Sequence, residues 1–449
     1  MYESGIIIGK CETHNNKRVD VFVGIPYAEP PVGRFRFKRP VPALKWSQPL
    51  NATKWPNPCY QLPLLITSMT NTNFSEDCLY LNIWSPNSSQ SDDNLKAVMF
   101  FIHSGSFLYG TASDRHIDGI ALSATGDVVV VTINYRLNAF GFFYTGTDDS
   151  PGNMGLFDQS LALEWVNDNI RYFGGDPNRV TVFGESSGAW ATSLHIISPI
   201  NQNLFKNAIL MSGAALNYGL VVEPNVALRY WLKHTESIGC CNDNDTCGHK
   251  FTAKTIECLR NISPEKLVSL VRTPFDINNS LQVIDENNFN KNINLMVGTK
   301  RDEGSPLLAI FIDAVKYHPF SPVNITFNEA FNELKQLSSK WVSKVAINGE
   351  DVAKLYFTGL SDRNSQHLLR QTIGIGLGDL FSTCPTIQFA KSFANKTHNK
   401  VFQYFYNIKT GKESPHCSQW MDICDTYDNF PVFDLPVLSV VFNGLNITQ

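Results

Sequence analysis

The 449 residues carry a formal net charge of −4 and are 43% hydrophobic and 12% aromatic, a composition that can fill a sizeable globular core. Lys and Arg are scattered rather than clustered, so the sequence offers no electrostatic footprint for nucleic acid or an anionic membrane surface. No apolar run approaches the roughly 20 residues that a helix needs to cross a bilayer, and we expect no membrane span in this chain.

Short apolar runs bounded by turn residues alternate with helical patterns along the chain. Ala162, Val166 and Ile170 recur at i, i+4 and i+8 and predict a helix that Gly174 and Gly175 end before a proline. This alternation predicts a mainly parallel α/β sheet, and because no repeat or low-complexity linker interrupts it, we expect a single domain over residues 1–449. The predicted strands are residues 98–102, 128–133, 180–183, 208–212 and 294–298.

The segment VFGESSGAW, residues 182–190, places a serine between two glycines. A predicted strand precedes it and a plausible helix follows it, so Ser186 falls at the strand-to-helix corner that a nucleophile elbow requires. Gly184 and Gly188 fit this corner because the flanking elements crowd it. The G-x-S-x-G pattern alone arises by accident, but this context favours Ser186 as a nucleophile.

Cysteine and asparagine usage favours an oxidising compartment. The cysteines show no paired C-x-x-C spacing of the zinc-ribbon kind, so we expect disulfides rather than a metal site. Together with the sequons they favour a secreted or surface protein whose leader is missing from this sequence. The ten cysteines are Cys11, Cys59, Cys78, Cys240, Cys241, Cys247, Cys258, Cys384, Cys417 and Cys424. The N-x-S/T sequons begin at Asn51, Asn73, Asn87, Asn244, Asn261, Asn278, Asn324, Asn395 and Asn446.

Long segments of the chain resemble the type-B carboxylesterase and cholinesterase family, and the resemblance extends from about residue 5 to the C-terminus. It implies an α/β-hydrolase fold, in which helices flank a central, mostly parallel sheet, and a small ester as substrate, with no cofactor. The segments that carry it are FVGIPYAEPPVGRFRFKRP (22–40), SEDCLYLNIWSP (75–86), INYRLNAFGFF (133–143), residues 152–190 and LFKNAILMSG (204–213).

The resemblance implies roles for several residues besides Ser186. The DEGS segment after a core strand makes Glu303 the acid of the triad. Backbone N–H groups of Gly105, Ser106 and Ser187 would form the oxyanion hole. Two glycines of the family turn are serines here, at 104 and 106, and each added Cβ narrows the turn and threatens its backbone conformation. We expect His103, which heads the turn, to be packed rather than catalytic.

The base of the triad is the main departure from the family. The stretch WMDICDTYDNFPVFD, residues 420–434, aligns without a gap to the segment that carries the family histidine, and Asp425 occupies the histidine position. An aspartate with a reference pKa of about 3.9 is a far poorer base at pH 7 than a histidine near 6.5. His416 is the nearest histidine, but nine residues and Trp420 separate it from that position, so it is an improbable substitute.

Other departures concern the walls of the pocket. Residues 59–78 match the loop that carries a choline-binding tryptophan in cholinesterases, yet they contain no tryptophan, which removes a cation-π site for a quaternary ammonium. The segment before the acid strand is shortened. The chain ends at Gln449, before the C-terminal helices of its relatives, so the C-terminal helices are expected to be truncated and Cys384 to lack its usual partner. An evolved loss of activity and an altered transcript both account for these losses.

The resemblance also implies a covalent and ionic framework. Cys59 is expected to pair with Cys78, and Cys258 with Cys240 or Cys241, while the pairing of the other cysteines stays open. Two buried ion pairs are expected, Arg36 with Glu76 and Arg136 with Asp158.

Two functional hypotheses follow from these residues. The first is a secreted serine carboxylesterase, supported by Ser186 and Glu303. The second is a catalytically silent, cholinesterase-like protein that binds a protein partner, supported by Asp425 and the serine-substituted turn. We favour weak or no turnover by the chain as written.

Overall fold

A computed structural model describes most of the chain. The described residues are 5–61, 73–86, 94–216, 223–241, 248, 250–271, 289–341, 348–397, 399–407, 420–421 and 432–433. Several predicted residues lie outside them, namely Asp425, Cys247, Cys417, Cys424, His416 and the sequons at Asn87, Asn244, Asn278 and Asn446. Residues 62–72 of the loop 59–78 also lie outside them.

The described residues form a large mixed sheet. Nine strands pair in the order β13-β12-β11-β10-β6-β7-β5-β3-β2. From β13 to β7 the neighbours are parallel, and from β7 to β2 they are antiparallel, which confirms the predicted, mostly parallel α/β sheet. The strands are β1 (Ile7–Ile8), β2 (Lys10–His14), β3 (Lys17–Pro26), β4 (Leu50–Asn51), β5 (Tyr80–Ser85), β6 (Lys96–Ile102), β7 (Val129–Ile133), β8 (Tyr144–Thr147), β9 (Ser150–Pro151), β10 (Gly175–Glu185), β11 (Asn207–Met211), β12 (Asn294–Lys300) and β13 (Val401–Tyr406).

Helices flank this sheet and connect its strands. The α-helices are Ile120–Gly126, Asn138–Phe142, Met154–Asn169, Ser187–Ile197, Pro224–Ser237, Ala253–Asn261, Pro264–Val268, Ser305–Leu307, Phe327–Trp341, Gly349–Tyr356, Gln366–Gly378 and Cys384–Thr397. Shorter 3₁₀ or π segments are Gly33–Phe35, Arg115–Ile117, Ile170–Phe173, Pro199–Asn201, Leu308–Ile312 and Asp379–Thr383. Within the described part of the chain, no helix is both long enough and apolar enough to cross a membrane.

The helix between β7 and β10 ends as predicted at Gly174, which adopts φ 77°, in the left-handed region that suits glycine. Gly175, the second of the two glycines, is already the first residue of β10. A Cβ on Gly175 would lie 2.6 Å from Ile170 Cγ1 and 2.8 Å from Val98 Cγ2. Glycine is therefore required there by close packing of the strand.

The cysteine and ion-pair framework agrees with the expectation. Cys59 bonds to Cys78 and Cys240 bonds to Cys258, so Cys240 rather than Cys241 is the partner of Cys258. Cys241 is itself disulfide-bonded, whereas Cys11 and Cys384 are free and exposed.

Both expected ion pairs are present and almost completely buried. Arg136 Nη2 lies 2.7 Å from Asp158 Oδ1, and Arg36 Nε donates to Glu76 Oε2 at 2.7 Å. The first pair joins the segment after β7 to the helix Met154–Asn169. Removing one partner of such a pair would leave a buried charge uncompensated.

Candidate active site

Ser186 lies at a strained corner between β10 and the helix Ser187–Ile197. Its backbone adopts φ 53° and ψ −120°, a conformation that costs a non-glycine residue free energy and is retained where the surroundings enforce it. Its N–H donates to Met211 O at 2.9 Å, and its carbonyl accepts from Trp190 N at 2.9 Å. A Cβ on Gly184 would lie 2.4 Å from the Gly188 carbonyl carbon, and one on Gly188 would lie 2.1 Å from Ile102 O. Only glycine fits at either position.

A tight turn follows β6 beside this corner. Gly105 has φ 115°, and a Cβ there would lie 2.0 Å from Tyr109 O. Ser106 and Phe107 also have positive φ, 56° and 59°. The serine side chain therefore does not exclude the left-handed conformation, although it makes that conformation more costly than glycine would. Gly105 O closes the turn by accepting from Leu108 N at 2.9 Å.

The turn and the corner contain three backbone N–H groups of interest. Within the described residues, no acceptor is hydrogen-bonded to the N–H groups of Gly105, Ser106 or Ser187. Free N–H groups at a turn and at the first residue of a helix are the kind of donors that stabilise a developing oxyanion.

His103 is packed within this turn. It is buried, its ring stacks on Tyr135 at 4.3 Å, and its Nδ1 donates to Ser104 O at 2.8 Å. Burial lowers the pKa of His103 to about 4, so the ring is neutral at pH 7. Tyr135 also donates from its hydroxyl to His103 O at 2.9 Å. The expectation that His103 is packed and hydrogen-bonded is confirmed.

Glu303 lies at the same edge of the sheet as Ser186. Glu185, Met211 and Gly298 are aligned across β10, β11 and β12. The turn after β12, which contains Glu303 and is called the acid turn below, is therefore two strands, or about 10 Å, from the corner at Ser186. Glu303 is 4% exposed, and its Oε1 accepts from Lys300 N at 2.7 Å.

The helix Gln366–Gly378 packs closely against the turn that contains Glu303. A Cβ on Gly378 would lie 2.8 Å from Glu303 Cβ, and one on Gly304 would lie 2.1 Å from Gly374 O. Gln371 Nε2 donates to Asp302 Oδ1 at 2.8 Å, and Asp302 is fully buried. Sequence reasoning missed Asp302 and Gln371, because their contact joins segments 69 positions apart.

Lys300 is a further residue that sequence reasoning missed. It is the last residue of β12, is 1% exposed, and its Nζ lies 3.5 Å from Glu185 Oε1. The signal available in the sequence was a lysine at the end of the strand that precedes Glu303.

The structure describes the two ends of the segment that contains Asp425, but not Asp425 itself. Trp420 is buried and donates from Nε1 to His318 O at 3.3 Å. The ring of Phe433 packs on Phe101 of β6 and Phe183 of β10, with centroids 5.0 and 5.9 Å apart. The described part of the chain holds no cluster of three or more His, Cys, Asp or Glu residues that could bind a metal ion.

Comparison with known proteins agrees with this architecture. A profile of the "Carboxylesterase family" matches residues 1–443. Acetylcholinesterase-1 of Trittame loki is 35% identical over 97% of this chain and 80% of its own length. The cholinesterase of Mus musculus is 34% identical over 93% of this chain and 71% of its own length. The acetylcholinesterase of Danio rerio is 32% identical, with coverages of 94% and 73%. The chain, with its nucleophile-type corner and α/β-hydrolase sheet, therefore belongs to the carboxylesterase family.

Proposed function

We propose that this protein attacks small, uncharged carboxylic esters through Ser186, with weak turnover because Asp425 stands where the family has its histidine. The observation that carries this proposal is the strained conformation of Ser186, φ 53° and ψ −120°, beside three backbone N–H groups that have no acceptor among the described residues. A strained backbone conformation persists only where the surrounding structure imposes it, and such conformations cluster at active sites.

The reaction begins when Ser186 Oγ attacks the carbonyl carbon of the ester. The carbonyl oxygen becomes an oxyanion, which the N–H groups of Gly105, Ser106 and Ser187 stabilise. Collapse of the tetrahedral intermediate breaks the bond to the alcohol, and water then hydrolyses the acyl-serine by the same route.

Proton transfer limits this reaction. The serine proton needs an acceptor, and the leaving alcohol needs that proton back. An aspartate in the role of the family histidine would be a weak base at pH 7, because its reference pKa is about 3.9.

The relatives are named as cholinesterases and acetylcholinesterases, yet we propose neutral esters as substrates. Residues 59–78 contain no tryptophan, so the loop lacks the aromatic face that best attracts a quaternary ammonium.

We also propose that the protein is a secreted or cell-surface glycoprotein. The disulfides Cys59–Cys78 and Cys240–Cys258 support an oxidising compartment. The described sequon asparagines are all exposed, as glycan attachment requires; they are Asn51, Asn73, Asn261, Asn324 and Asn395.

Labelling with a fluorophosphonate tests the proposal, because the reagent reports an activated serine whatever the natural substrate. We expect slow labelling of Ser186, found by peptide mapping and absent in Ser186→Ala. A folded protein that resists labelling at every reagent concentration would favour the alternative, a non-catalytic protein that binds a protein partner, for which Asp425 is the supporting observation.

A further inference from the structure

A buried ion pair lies directly beside the candidate nucleophile. Glu185, the residue before Ser186, is fully buried, and its Oε1 lies 3.5 Å from Nζ of Lys300, whose side chain is 0% exposed. The two residues end strands β10 and β12, with β11 between them. Buried charges of this kind are strongly felt nearby because little water screens them.

Lys300 also contacts the candidate acid. Its backbone N–H donates to Glu303 Oε1 at 2.7 Å. One residue therefore holds the carboxylate of the acid turn through its main chain and the carboxylate beside the nucleophile through its side chain. Both carboxylates lie at the edge of the sheet where the substrate is proposed to bind.

We infer that Lys300 is a specificity-determining residue of this site, because its positive charge opposes the attraction of Glu185 for a cation and so disfavours cationic esters relative to uncharged ones. The inference rests on the proposed function. Without the ammonium group, the site would lose one positive charge, and Glu185, next to Ser186, would attract a cationic substrate more strongly. With the ammonium group in place, its positive charge offsets the attraction of Glu185 for a cation.

The size of this effect is large enough to measure. A unit charge about 6 Å from a ligand cation, at an effective dielectric constant of about 20, changes relative binding by tenfold to a hundredfold. An uncharged ligand of the same shape is nearly unaffected. The ratio of the two reactivities therefore reports charge at the site and is insensitive to a general loss of activity.

The experiment uses two fluorophosphonates of equal size on the full chain, one with a trimethylammonium-ethyl group and one with the neutral 3,3-dimethylbutyl group. The ratio of their labelling rates at Ser186 is measured for the wild type, Lys300→Met, Lys300→Arg and Glu185→Gln. Lys96→Met is the matched control, because Lys96 pairs with Asp127 at 2.7 Å far from the site, at the start of β6.

We expect Lys300→Met to shift the ratio at least tenfold toward the cationic reagent, and Lys300→Arg and Lys96→Met to leave it unchanged. Glu185→Gln should shift it in the opposite direction, and this variant serves if Lys300→Met does not fold. The double variant Lys300→Met with Glu185→Gln should return to the wild-type ratio.

Two results would overturn the inference, and they are distinguishable. In the first, the wild type is labelled but folded Lys300→Met or Glu185→Gln shows the same ratio of labelling rates as the wild type. This result would remove the role of Lys300 and leave the proposed function standing. Absence of labelling in every variant, including versions carrying Asp425→His, removes the proposed function and this inference with it.

Discussion

Lys300 N donates a hydrogen bond of 2.7 Å to Glu303 Oε1 and so fixes the carboxylate within a four-residue turn. The acid of a triad acts by orienting the base, so its effect is measurable only when a base is present. In the Asp425→His protein, Glu303→Gln should therefore lower esterase activity by about 10² to 10⁴. Glu329→Gln is the control, because Glu329 is exposed and lies on the helix Phe327–Trp341. Equal activity of the Glu303 variant and its parent would remove Glu303 from the site.

The left-handed conformation of Ser106, φ 56°, predicts a gain in stability from Ser106→Gly. Removing the Cβ relieves strain of about 1–2 kcal/mol, and the more flexible unfolded chain offsets about 0.4–1 kcal/mol of it. The free energy of unfolding should rise by about 0.5–1 kcal/mol in urea titrations. Ser104, which is not among the positive-φ residues, is the control. A loss of stability in Ser106→Gly would show that the side chain contributes contacts that outweigh its strain.

The disulfide between Cys59 and Cys78 closes a loop with a sequence separation of 19. Replacing both cysteines by alanine should lower the free energy of unfolding by about 3 kcal/mol, because the unfolded chain regains the entropy of that loop. Urea titration under non-reducing conditions measures the loss. Free thiols at both positions in peptide mapping of the native protein would contradict the structure and remove the main support for secretion.

Two buried histidines predict a loss of stability in mild acid. Burial lowers the pKa of His103 and of His195 to about 4, whereas the unfolded chain has histidine pKa values near 6.5. Between these values the unfolded state binds protons that the folded state does not, so the free energy of unfolding falls as the pH drops from 6.5 to 4. Each histidine accounts for up to about 3 kcal/mol.

His195→Gln tests this pH dependence. The neutral ring of His195 lies between Gln159 Oε1 and Asn201 Nδ2, each at 2.7 Å. Its removal should reduce the slope of the free energy of unfolding against pH by the contribution of one proton. His116 is a control of opposite sign, because its hydrogen bond to Asp114 raises its pKa. His116→Gln should not flatten the curve. An unchanged slope in His195→Gln would show that this ring takes up its proton equally in both states.

The sheet could be predicted because its central strands are buried on both faces. All five residues of Val129–Ile133 are buried, so an unbroken apolar run is enough to mark the strand. The corner at Ser186 could be predicted for a related reason, since Gly184 and Gly188 are required by contacts between adjacent elements.

The parts that sequence could not supply depend on contacts between distant segments. The ion pair of Lys300 with Glu185 joins residues of β12 and β10, which lie two strands apart in the sheet. The choice of Cys240 over its neighbour Cys241 depends on which residue brings its Cα within 5.7 Å of the Cα of Cys258. Neither relationship leaves a local pattern, because both are set only when the strands and helices have packed.

Reversion of Asp425 to histidine tests the central claim most directly, which is that this is an ester-hydrolase site lacking only its base. Loss of a triad member costs several orders of magnitude in rate, so Asp425→His should raise the hydrolysis of 4-nitrophenyl acetate by roughly 10⁴. The gain should disappear when Ser186→Ala is added. If the reverted protein is folded, with an unfolding transition like that of the wild type, and still does not hydrolyse the ester, the claim is contradicted.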